Sequence, residues 1–175
     1  QANPAVRVAI VTGAGRAFCA GMDLKELSEG GTDASGFDRS VVGQDMAEAI
    51  AAFEGPIIAA VNGHAVTAGF ELALACDLIV ASSSAKFADT HARVGILPGW
   101  GLSQRLPRLI GAARAKELAF TGNTLTAAQA LEWGLVNRVV APEELLPTCR
   151  ALAAQMASCV PQIVRGYKKL IDEGF

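Results

Sequence analysis

Apolar residues along this chain fall into short unbroken runs separated by glycine, proline and small polar residues, with stretches of helical spacing between them. Val6 to Thr12 (VRVAIVT) is a β-branched run stopped by Gly13-Ala14-Gly15, which predicts a buried strand entering a loop. Residues 16–23 (RAFCAGMD) read as a connection of small residues leading to a helical start near Leu24, and 28–37 (SEGGTDASGF) as the most flexible stretch. Val42, Met46, Ala49, Ile50 and Phe53 share one face at helical spacing, and Gly55-Pro56 ends that helix. Ile57 to Val61 (IIAAV) predicts a second buried strand, and Asn62-Gly63 a turn. A helix is expected from about Ala68 to Cys76, a strand over Leu78 to Ala81 and a short one over Ala85 to Ala88. Gly95 to Gly101 (GILPGWG) is a Gly/Pro loop, and two or three helices fill 101–133. Val136 to Val140 reads as a last strand, and Pro142 opens a helical tail.

Strands alternating with helices imply an α/β domain whose sheet is largely parallel and covered on both faces. A length of 175 residues suits one domain. The helix-rich last third is either an oligomerisation element or a layer packed on its own domain. No fixed period appears, so a solenoid of close repeats has no support.

Composition narrows the class. Apolar residues are 51% and charged residues 18%, too apolar for a disordered chain. A net charge of −2 and a pI of about 5.7 provide no basic field for nucleic acid or an anionic membrane. The longest charge-free apolar stretch, between Glu54 and Glu71, is too short for a membrane span and carries Asn62 and His64. Cys19, Cys76, Cys149 and Cys159 have no CxxC spacing, and the only histidines are His64 and His91. Buried thiols in a reducing cytoplasm are therefore expected, and no zinc site. The chain opens on Gln1, and its first strand starts within a few residues, so a truncation at the N-terminus is expected.

Two loops combine small residues with a strand before and a helix after: Cys19-Ala20-Gly21-Met22-Asp23 and Thr67-Ala68-Gly69-Phe70-Glu71. Their N–H groups lie near the positive end of a helix dipole, and two donors converging on one point make an oxyanion hole. Equally, small residues simply permit tight turns. Glu71 is an acid inside an apolar run, which serves either the helix dipole or proton transfer from an apolar cavity. His91, in FADTHARVG just before the Gly/Pro loop, is either a hydrogen-bonded structural residue or an acid/base group; His64 reads as structural. Residues 86–116 hold Lys86, Arg93, Arg105, Arg108, Arg114 and Lys116 against the single acid Asp89, a solvated face or a surface for phosphates or a neighbouring subunit. GxGxxG, GxxxxGK[ST] and GxSxG motifs are all absent.

In order and spacing, GAGRAFCAGMDL, AAVNGHAVTAGFELALACDLIVA and FADTHARVGILPGWGLSQRLPRLIG closely resemble the enoyl-CoA hydratase/isomerase (crotonase) family, and TGNTLTAAQALEWGLVNRVV resembles the stretch linking that family's core to its tail. The similarity runs from about Val6 to Val140 and weakens through the helical end. It implies an α/β fold made of a spiral of ββα units, a core over 1–141 and the start of a helical trimerisation region over 142–175. The family's usual N-terminal strand segment and part of its C-terminal helix are expected to be missing.

The resemblance further implies binding of an acyl-CoA thioester, with coenzyme A part of the substrate and no separate cofactor. A homotrimer or hexamer follows from it, with no nucleic-acid or membrane partner. The backbone donors to a thioester enolate map onto Met22 and Ala68, the latter where the family usually has glycine. The first of two hydratase glutamates maps onto Glu71, and the second onto His91, a departure that puts an imidazole where a carboxyl is usual. Ala20, Gly21, Asp23, Gly69, Pro98 and Gly99 are the candidate substrate contacts. The expected activity is 2-enoyl-CoA hydration of β-oxidation type. The alternatives are enoyl-CoA isomerisation by Glu71 alone and acyl-CoA binding without turnover.

Overall fold

A computed structural model describes residues 3, 5–21 and 44–174. Its strands form two four-stranded sheets. In the first, β1 (Ala9–Thr12), β3 (Ile57–Val61), β5 (Leu78–Ser82) and β8 (Arg138–Val140) lie parallel in the order β1-β3-β5-β8. In the second, β2 (Ala17–Cys19), β4 (His64–Val66) and β6 (Lys86–Ala88) are parallel, and β7 (Thr124–Thr126) joins β6 antiparallel. The chain alternates between the sheets: β1 then β2, β3 then β4, β5 then β6. A helix follows each pair: α1 (Gln44–Ala51), α2 (Ala68–Ala75) and α3 (His91–Val94). These are stacked ββα turns, the spiral that the family resemblance implies.

Periodicity alone leads to one sheet, because β2, β4 and β7 are short and none lies in a stretch that reads as a strand. β2 falls in the stretch read as a connection. β4 follows the Asn62-Gly63 turn directly, and β7 separates the helices α4 (Leu102–Ile110), α5 (Ala112–Thr121) and α6 (Ala127–Glu132). Helical spacing over 42–53 is matched by α1 from Gln44 onward, while Val42 lies outside the described residues.

Burial explains the long central strands. β3 is buried at all five positions, as an apolar strand covered on both faces must be. Ile57, Ala59 and Val61 point into the main core with Phe70, Leu74 and Phe87; Ile58 and Ala60 point the other way, onto Leu145 and Cys149. Those last two belong to α7 (Leu145–Ser158), which follows a 3₁₀ turn at Pro142–Glu144, so α7 packs on its own sheet. The final helix, α8 (Pro161–Glu173), buries no residue. Asn62 ties the two sheets: its Oδ1 accepts from Gly13 N at 3.0 Å, and its Nδ2 donates to the carbonyls of Gly15 (3.0 Å) and Ala17 (3.3 Å). Among the described residues no helix is long and apolar enough to cross a membrane.

Candidate active site

α2 is apolar nearly all round and buried from Ala68 through Leu74, the pattern of a helix driven through a core rather than laid on it. Its one charged residue, Glu71, sits in the first turn and is 2% exposed. Such a carboxylate is stable only with hydrogen-bond donors aimed at it. Two come from the end of the Gly/Pro loop and the start of α4: Trp100 N donates to Oε1 at 2.7 Å and Leu102 N at 3.2 Å. The third partner is His91, whose Nε2 stands 3.5 Å from Oε2.

His91 opens α3 and is itself 5% exposed. Its Nδ1 lies 2.7 Å from Oδ1 of Asp89, and its backbone N–H donates to the same oxygen at 3.2 Å. Asp89 is 2% exposed. The three side chains thus form a buried line, carboxylate–imidazole–carboxylate. Burial by itself pushes the histidine down, but hydrogen bonds to Asp89 and Glu71, and the two negative charges, outweigh it and raise His91 to about 9. Burial pushes Glu71 up, yet His91 and the Trp100 and Leu102 amides hold it below the usual carboxylate range. At neutral pH the pair is therefore carboxylate and imidazolium.

The line opens on a cavity of about 170 Å³. Thr67 precedes α2 in a left-handed conformation (φ 53°, ψ −114°). It is pinned there by its N–H on the Ala88 carbonyl at 2.9 Å and by a hydroxyl contact with Thr90. Its carbonyl accepts from Phe70 N (2.9 Å) and Glu71 N (3.0 Å). Ala68 begins the helix on the cavity wall, and an N–H at that position has no intrahelical acceptor.

Of the residues singled out from sequence, Glu71, His91, Ala68, Ala20, Gly21 and Gly99 all line this cavity. Gly69 does not: it faces β2, where an added Cβ would stand 2.1 Å from the Cys19 carbonyl oxygen. Pro98 lines a separate apolar groove of about 430 Å³ on the far side of His91. Met22 and Asp23 lie outside the described residues. Sequence reasoning named Thr67 within a candidate loop and Asp89 among basic neighbours but gave neither a role of its own, and it passed over Thr90 and Trp100. For Asp89 a signal existed in Asp89-Thr90-His91, since an aspartate commonly accepts the N–H two residues on. Among the described residues no cluster of three His, Cys, Asp or Glu side chains is arranged to hold a metal ion.

Fold and cavity define a ββα spiral with a buried carboxylate–imidazole–carboxylate line at the edge of a small cavity. The family model described as enoyl-CoA hydratase/isomerase matches residues 1–175, and the chain belongs to that family. It is 44% identical over 177 residues to the probable peroxisomal enoyl-CoA hydratase 1 of Arabidopsis thaliana, covering 99% of this chain and 64% of that protein. Identity to the carnitinyl-CoA dehydratase of Proteus mirabilis is 42%, over 99% of this chain and 69% of the relative. The crystal structure of an enoyl-CoA hydratase from Mycobacterium tuberculosis superposes with a TM-score of 0.84 at 44% identity, covering 99% of this chain and 73% of that one. The chain thus spans about two thirds of the length of the curated relatives it matches.

Proposed function

We propose that the protein is a 2-enoyl-CoA hydratase in which Glu71 is the base and His91 the acid. One observation carries this reading: a buried carboxylate that accepts from two amides stands 3.5 Å from a buried imidazole nitrogen, and both residues line one small cavity. Hydration needs that division of labour. A water in the cavity beside Glu71 gives a proton to its carboxylate as the water oxygen bonds C3 of the enoyl thioester. The π electrons move onto the thioester oxygen, where the N–H of Ala68 receives the developing enolate charge, and Met22 is the second donor that the family pattern assigns. His91 Nε2 then delivers its proton to C2. Glu71 has gained one proton and His91 has lost one, so transfer between them restores the starting state.

The binding partner under this reading is an acyl-CoA thioester. A trimeric or hexameric assembly goes with it, supported by the exposed apolar residues Ile163, Tyr167 and Leu170 on α8. Names among the relatives include both an enoyl-CoA hydratase and a carnitinyl-CoA dehydratase, addition and removal of water on two CoA thioesters.

The test is loss of the conjugated thioester absorbance of crotonyl-CoA. Glu71→Gln should lower kcat by about 10²–10⁴-fold. Turnover should fall on the acid side as Glu71 takes up a proton, at a pH below that of an ordinary glutamate, and on the alkaline side as His91 loses its own near about 9. If Glu71→Gln hydrates crotonyl-CoA as fast as the unaltered protein, the reading is wrong. Exchange of solvent deuterium into the substrate without net hydration would favour isomerisation instead.

A further inference from the structure

We propose that Asp89 is a positioning residue that fixes His91 with its Nδ1–H turned into the protein and its Nε2 turned toward Glu71 and the cavity. The inference deepens the hydratase reading and, in its catalytic consequence, rests on it. Asp89 lines the apolar groove behind His91 but not the cavity in front, so substrate beside Glu71 does not meet it. It acts only through the histidine. A single oxygen, Oδ1, accepts from both the His91 backbone N–H and Nδ1, which fixes where the ring stands and which way it is turned.

The orientation matters because an imidazole has two nitrogens and a carboxyl is symmetric. With Nδ1–H committed to Asp89, the mobile proton of the imidazolium is the one on Nε2. Once that proton has gone to C2, the neutral ring keeps Nδ1–H and presents a lone pair at Nε2. The lone pair faces Glu71, now protonated, and takes the proton back: the Glu71 O–H bond breaks, the Nε2–H bond forms, and the site is reset. Without Asp89 the neutral ring is free to hold its proton on Nε2, and the return path is closed. Asp89 is thus what lets a histidine stand in for a second glutamate.

Among the described residues the charged groups around His91 are few. Glu71 faces it from α2 and Asp89 from the chain just before α3, while Lys116 of α5 lines the same groove and opposes them. Arg93, on the same short helix, is turned away onto the Thr121 carbonyl.

The experiment is ¹⁵N NMR of the histidine ring in substrate-free protein, with the exposed His64 changed to Gln so that one histidine remains. The unaltered Asp89 protein should titrate well above an ordinary histidine, and its neutral form should carry the proton on Nδ1. Asp89→Asn should lower the titration midpoint by about 1–3 pH units. In turnover of crotonyl-CoA it should cut kcat with little change in KM and move the alkaline limb down by the same amount. In a His91→Glu background, Asp89→Asn should cost nothing further in kcat. A neutral form protonated on Nε2 in the unaltered protein overturns the proposal, even if Asp89→Asn fails to fold. So does a folded Asp89→Asn variant whose midpoint is unmoved. The ring measurement uses no substrate, so the expected NMR result together with no hydration by any variant would overturn the hydratase reading alone.

Discussion

Thr67 is the one non-glycine residue with positive φ among the described residues, and it is β-branched, the class that tolerates that region worst. A strain of about 1–3 kcal/mol is expected there. What it achieves is visible next door: the reversal after β4 starts α2 on the cavity wall, with Ala68 first and Glu71 one turn in. The hydroxyl contact with Thr90 and the three backbone bonds over-determine the conformation. Thr67→Ala keeps the strain and loses the hydroxyl, so it should be less stable than the unaltered protein by about 1 kcal/mol. Thr67→Gly loses the same hydroxyl but relieves the strain. Even after the entropy cost of glycine it should exceed Thr67→Ala by about 1 kcal/mol in urea unfolding. An alanine variant at least as stable as the glycine one would show that the backbone is unstrained there. None of this is legible from sequence, where Thr67 is a small residue in a turn. Glu71 is legible, because a lone acid in an apolar helix is conspicuous. Asp89 looks like one more charge beside basic neighbours until its oxygen is seen on the His91 ring.

At the scale of elements, contiguity decides what can be read. β3 is a five-residue apolar run, β5 is a four-residue one closed by Ser82, and α2 is a buried apolar helix; all three stand out from sequence alone. β2, β4 and β7 do not: β2 is hidden in a connection of small residues, β4 follows the Asn62-Gly63 turn directly and β7 lies between two helices, whereas the equally short β6 and β8 fall in stretches that read as strands. Yet β2 sets where α2 lies. Gly69 brings the helix onto the Cys19 carbonyl, where an added Cβ would also stand 2.8 Å from the Cys19 side chain. Gly69→Ala forces α2 and β2 apart, and Glu71 sits two residues farther along the same helix. Overpacking of this kind costs about 1–3 kcal/mol, and here the neighbour is backbone, so the upper end is expected. Under the proposed hydratase reading turnover should fall with it, because Trp100 and Leu102, which hold Glu71, belong to a different segment from α2. Gly166→Ala in α8, where the space is open, provides the control and should gain about 0.5–1 kcal/mol. Equal midpoints for the two variants in thermal unfolding would remove the close-approach argument.

Over the whole molecule, alternation between sheets ties the layers together, whereas α8 is fastened almost wholly by polar contacts. It buries no residue, and Val160 before it, with Ile163, Tyr167, Leu170 and Ile171 within it, remain exposed. Helical periodicity makes the tail readable as a helix, but not how it is attached, since the attachment joins residues far apart in sequence. Lys168 reaches across to donate to the carbonyls of Phe53 (3.3 Å) and Gly55 (3.0 Å) and to Asp77 Oδ2 (2.9 Å). That Asp77 oxygen also accepts from Ile57 N at 2.7 Å, which links the tail to the start of β3. The Arg165–Glu54 pair adds little, because Glu54 is largely solvated. Lys168→Met keeps the aliphatic stem and removes all three donations. The free energy of local opening of α8 should fall by about 2 kcal/mol, which is about 30-fold faster amide exchange over 161–173. Exchange in β3 and β5 should be unchanged, because their hydrogen bonds break only when the core does. Hydrogen–deuterium exchange read peptide by peptide checks both halves: equal acceleration in α8 and β3 would mean that the tail and core open as one unit, and no acceleration in either would mean that Lys168 is not the anchor.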